Sequence, residues 1–183
     1  MSSPWFKAAL ILSAVWLVAG GAIFWARSVK VTPASVTRFL DTQSVADKSA
    51  SERSKLIEKL ARQMNALDYQ QRREVRMSRK LDRFFRSLSP DEQGRFLDLT
   101  LPTGFKQMME SLNKMEPAKR KEVVTRALRD MEKDENSAEE LDANARKMID
   151  QGFKSFYSDA SAETKMDVAP LIEQLQKNLQ RLR

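Results

Sequence analysis

Apolar positions recur along most of this chain with a period near 3.6, the spacing that gives a helix one greasy side and one wet side. Leu56, Ile57, Leu60, Met64 and Leu67 form one stripe, and Val123, Val124, Ala127, Leu128 and Met131 form another. Leu141, Ala145, Met148, Ile149 and Phe156 make a third, and Ile172, Leu175, Leu179 and Leu182 a fourth. No segment shows the period of two that a half-buried strand requires. The expected fold class is therefore all-α: a small, irregular bundle of helix–turn–helix units behind an N-terminal transmembrane helix.

Helix starts are written in the polar positions between stripes. Ser49 with Glu52, Asp68 with Gln71, Ser89-Pro90 with Glu92, and Asn136 with Glu139 have capping-box spacing, in which each side chain satisfies an otherwise unpaired backbone N–H. Thr32-Pro33 opens a short helix toward Leu40, and Pro117 opens another, because proline suits the first helical position. Kinks or new starts are expected at Pro102, within Leu101-Pro102-Thr103-Gly104, and at Pro170, since proline inside a helix removes a hydrogen bond and costs about 3 kcal/mol.

One stretch departs from amphipathic patterning. The run "AALILSAVWLVAGGAIFWA", residues 8–26, carries no charge over nineteen residues, enough at about 1.5 Å per residue to cross roughly 30 Å of hydrocarbon. Trp5 and Trp25 stand near its ends as membrane-interface anchors, with Lys7 and Arg27 beside them. A cleaved signal peptide is the competing reading, but the run exceeds the usual apolar core of such peptides. Basic residues flanking the run lean slightly toward a cytoplasmic domain, whereas a short leader before an uncleaved export signal favours an extracytoplasmic one. The expectation is a single-pass plasma (inner) membrane protein of the bacterial envelope, its domain outside. Its parts are an anchor over 1–28, a short helix and polar tether over 29–50, and a helical domain over 51–183 with an acidic linker near 130–142.

Two near-repeats occur inside the domain. "QRREV" at 71–75 matches "KRKEV" at 119–123, and "FFRSLSPDE" at 84–92 echoes "FYSDASAET" at 156–164. Their spacing is irregular, which suits helix–turn–helix units of one bundle better than a solenoid of fixed period.

Composition narrows the chemistry. Formal net charge is +7, and the 183 residues include neither Cys nor His. That removes thiolate and imidazole nucleophile–base pairs, zinc–thiolate sites and the commonest general base near neutral pH. The five Gly build no phosphate-cradling loop and no nucleophile elbow. The expectation is a non-enzymatic protein without metal or cofactor.

Candidate binding surfaces are two. On one continuous helix, Arg72, Arg76, Arg79, Lys80, Arg83 and Arg86 share an arc of about 140° with Arg73, opposite Met77, Leu81, Phe84, Phe85 and Leu88. Like charges four apart repel, so a counter-charge is required: anionic lipid, nucleic acid phosphate, or the acidic stretch at 130–142 with seven acids and one Lys. Nucleic acid ranks last, because no binding motif is present and exposed aromatics do not interleave the basic residues. The second surface is the Met-rich stretch at 104–115, where Phe105, Met108, Met109 and Leu112 form either an adaptable groove or ordinary core.

"LSPDEQ" at 88–93 and "LDYQQRR" at 67–73 resemble the LTxxQ signature of small periplasmic helical proteins of the Spy-type chaperone and envelope stress-sensor class. Leu67, Asp68 and Gln71 follow it with Asp for Thr, and Leu88 and Ser89 follow it with Glu92 in place of Gln. The resemblance implies an all-helical extracytoplasmic protein that cradles unfolded clients or a signalling partner. Metal sensing, which in that class uses His, is not implied. Two roles follow: an envelope-side interaction, scaffold or chaperone-like module, or a cytoplasmic-side adaptor holding anionic lipid or an acidic partner. Oligomeric state is not readable.

Overall fold

Side-chain caps set most of the helix starts. The computed structural model describes residues 30–45, 47–134 and 142–181, and these contain eight helices and no strand. They are α1 Pro33–Thr42, α2 Ala50–Ala66, α3 Tyr69–Met77, α4 Arg79–Arg86, α5 Pro90–Asn113, α6 Pro117–Asp134, α7 Ala143–Asp159 and α8 Ala162–Arg181. All belong to the unit Pro33–Arg183, which is divided from Met1–Thr32. The capping boxes of Ser49–Glu52, Asp68–Gln71 and Ser89–Glu92 are each formed in full. The box expected at Asn136–Glu139 lies outside the described residues; α7 starts at Ala143, where Asp142 accepts a hydrogen bond from the Ala145 N–H at 2.6 Å.

Neither proline begins a new helix: α5 continues through Pro102 and α8 through Pro170. Each proline removes one backbone bond, a local cost that burial of Phe96, Leu97 and Met109 along α5 and of Val168 along α8 offsets.

α5 organises the unit. α2 packs along it in the same sense, as the pairs Arg53–Glu92 and Asn65–Leu99 show, and α7 does likewise on another side through Asn144–Gln93, Lys147–Asp98 and Asn113–Asp159. α6 and α8 pack on each other, while α1 closes over α3 and α4. Val36, Leu40, Ile57, Leu60, Met64, Leu67, Val75, Phe84, Leu88 and Phe96 are buried in the first half. Val45, inside the stretch expected to be a polar tether, is buried too. In the second half Met109, Val124, Phe156, Ala160 and Val168 form a core cluster. The near-repeat at 84–92 and 156–164 is visible in this packing: Phe84 and Leu88 are buried, and so are their counterparts Phe156 and Ala160.

Among the described residues no helix is long and apolar enough to cross a membrane. The apolar run at 8–26, with Trp5 and Trp25, lies outside the described residues.

Candidate functional site

Arg72 is the second residue of "QRREV", and Arg120 the second of "KRKEV". Both are buried, at 6% and 1% exposure. Arg72 Nη2 donates to the Met64 carbonyl at 2.9 Å, and Arg120 Nη1 donates to the Leu112 carbonyl at 3.2 Å, each eight residues back in the last turn of the preceding helix. The carbonyls there have no intrahelical partner, and a cation among them is favoured by the helix dipole. Asn65 and Asn113 precede the two arginines by seven residues and tie the same turns to α5 and to the end of α7 through Leu99 and Asp159.

The two arginines differ in their counter-charges. Arg120 meets Asp167 through Nε at 2.8 Å and Nη2 at 2.7 Å, with Glu163 at 3.8 Å. Arg72 donates only to neutral acceptors: Thr100 O at 3.0 Å, Met64 O, and Asn65 Oδ1 at 2.9 Å. No carboxylate of the described residues lies within ion-pair distance, and its buried Nε has no hydrogen bond. Burial, followed by the neighbouring Arg76 charge, pushes the Arg72 guanidinium down to about 10. Gly104 leaves room for this side chain: a Cβ there would stand 2.9 Å from Arg72 Nη1.

The continuous basic helix expected over 72–88 is not formed. Ser78 is extended, with φ −75° and ψ 128°, and its hydroxyl donates to Val75 O at 2.6 Å, so α3 stops and α4 starts afresh. Arg72 faces inward from α3, held by Met64, Asn65 and Thr100, and the other charges are distributed over two helices. Lys80 pairs with Asp41, and Arg86 with Asp82 at 3.2 Å. Arg76, Arg79 and Arg83 are exposed and have no carboxylate partner among the described residues. Arg72 thus belongs to a buried site and not to a wet face. The acidic stretch named as its internal partner lies mostly outside the described residues; Asp142, at its end, serves as the cap of α7.

Beside Arg72 opens a half-open cavity of approximately 800 Å³ between α3 and α4 on one side, α5 as its floor and the start of α7 on the other. Ligand pockets of roughly 300–1,000 Å³ are typical for small molecules. Its lining is mainly apolar, including Leu81, Phe85, Phe96, Leu97 and Met148, with Arg76 also lining it. Of the Met-rich candidates, Phe105 and Met108 line this cavity; Met109 is core at 4% exposure, and Leu112 packs against that core. The apolar stripe of α4 and Met148 of α7 were readable only as core, because sequence spacing does not reveal which stripe is left half covered. The signal that was available is the matched pair of arginines, one with a carboxylate partner and one without.

Among the described residues no cluster of Asp and Glu could hold a metal ion. Comparison with protein-family models, curated proteins and solved structures gives no match.

Proposed function

We propose that this chain is a membrane-anchored interaction module that works by binding, held by the run at 8–26 with Trp5 and Trp25 at its boundaries, and presenting its helical unit on the envelope side. The observation that carries the reading is the half-open apolar cavity flanked by Arg76 and backed by Arg72. Apolar walls give affinity for exposed hydrophobic groups, and a few charged residues orient what enters. The LTxxQ-like turns at 67–71 and 88–92 support a chaperone-like or scaffold role on that side. Protease treatment of intact spheroplasts tests location: digestion of the helical unit before lysis is expected, and protection until lysis overturns it. Full-length chain in nanodiscs is expected to slow aggregation of an unfolded client, and no effect at molar excess removes the chaperone-like role.

A second reading is a cytoplasmic-side adaptor, favoured by the exposed Arg76, Arg79 and Arg83, which have no carboxylate partner among the described residues. Each basic side chain close to an anionic surface adds about 1 kcal/mol. On this reading, salt-sensitive binding to anionic vesicles is weakened by Arg76→Glu with Arg83→Glu; unchanged binding rules that face out.

A further inference from the structure

The paired arginines identify what the described residues do not supply at the cavity. At the equivalent position of the second half, Asp167 neutralises Arg120 in the interior. Arg72 is nearly as buried and, among the described residues, has carbonyl and amide oxygens as its only acceptors, with Nε unbonded. A buried cation without a counter-ion is costly, and the ordinary remedy is a paired anion. Arg76 adds a second positive charge at the same cavity, itself without a carboxylate partner among the described residues. Two acids also line the space: Asp82, which pairs with the exposed Arg86, and Asp142, which accepts from the Ala145 N–H and keeps its charge. Both lie outside α3, where Arg72 and Arg76 stand one helical turn apart, so positive charge is concentrated on that side of the cavity.

Beyond the arginines the lining includes a continuous apolar part. Leu81 and Phe85 of α4 face Phe96 and Leu97 of α5, with Met148 of α7 completing the lining. Toward the start of α5 stand polar groups: Gln93 accepts from Asn144 Nδ2 at 3.2 Å, and its own amide donates to Phe85 O and Leu88 O. From Thr100, which holds Arg72, to Gln93 is seven residues of helix, about 10 Å.

We infer that this cavity binds a single-chain carboxylate amphiphile, a medium-chain fatty acid, with its head at Arg72 and Arg76 and its tail along α5 toward Gln93. The inference rests on the reading of the cavity as the module's binding site and names its ligand. The carboxylate takes the place that Asp167 fills beside Arg120, and the tail covers the apolar lining. Directed toward Gln93, a tail of about ten carbons spans the roughly 10 Å of α5 between Thr100 and Gln93.

The test uses full-length chain in zwitterionic nanodiscs and a photoreactive decanoate. Expected is saturable labelling of peptides that contain Leu81, Phe85 or Met148, displaced by decanoate and not by equal decanol. Arg76→Gln, a change at an exposed residue, raises the half-saturating concentration about tenfold through loss of a charge-assisted contact. Arg79→Gln, away from the cavity, leaves it unchanged. Non-saturable labelling, equal displacement by decanol, or an unaltered Arg76→Gln variant overturns the inference. A photoreactive acidic amphipathic peptide serves as the second probe. If it labels the same peptides saturably while decanoate does not, the fatty-acid assignment fails and the binding-site reading survives. If neither labels them, both fail.

Discussion

Arg72 and Gly104 form a pair that a double-mutant cycle can resolve. Three hydrogen bonds hold the Arg72 guanidinium between the end of α2 and α5, and an added Cβ on residue 104 of α5 would meet Nη1 at 2.9 Å. Alanine gains about 1 kcal/mol over glycine from helix propensity, whereas loss of one charged hydrogen bond costs about 1.5–3 kcal/mol. Gly104→Ala is therefore expected to destabilise the wild-type chain by about 1 kcal/mol and to stabilise the Arg72→Met variant, as read by chemical denaturation. The same sign in both backgrounds would show that no displacement occurs. Glu92 gives a pH-dependent companion. Hydrogen bonding from Arg53, opposed by partial burial and helped by Ser89, holds its carboxyl down at about 2. An unfolded glutamate titrates near 4.3, so this stabilisation is complete above about pH 4.3 and is lost as pH falls toward 2. Glu92→Gln keeps the cap and removes the titration, so its stability should decline less between pH 5 and 2 than that of the wild type.

At the scale of elements, the sequence revealed helix starts more faithfully than helix relations. Ser49, Asp68 and Ser89 cap where their spacing with Glu52, Gln71 and Glu92 required, because a capping box is decided within four residues. Pro102 and Pro170 begin no new helix for the complementary reason: their cost is local, but the burial that offsets it comes from other helices. The stretch from Arg72 to Leu88 has a continuous amphipathic period, yet Ser78 divides it, and only tertiary contacts to Met64, Asn65 and Thr100 explain why Arg72 turns inward. The cavity was half legible. Spacing left Phe105, Met108, Met109 and Leu112 open between groove and core; Phe105 and Met108 line the cavity, while Met108 and Leu112 also pack against the core that holds Met109.

For the whole unit Pro33–Arg183, the central fact is that α5 serves two cores. Leu97 and Phe96 are buried in one half of it, and Met109 in the other. A helix shared in this way couples the halves, so thermal unfolding of the helical unit is expected as one transition. Leu60→Ala in the first core and Phe156→Ala in the second should each shift that single transition, with losses of about 2–5 and 3–5 kcal/mol. Two resolved transitions, each sensitive to only one of these substitutions, would show that the cores melt independently.

The extended Ser78 also bears on time. α4 is eight residues long, is separated from α3 by a residue outside the helical backbone, and carries Phe84 as its one buried side chain. Segments with so few buried groups open at lower free energy than the rest of a fold. Amide hydrogens of α4 should consequently exchange with solvent deuterium sooner than those of α5, and a ligand lying against Leu81 and Phe85 should slow that exchange, so occupancy can be timed by a clock built into the backbone.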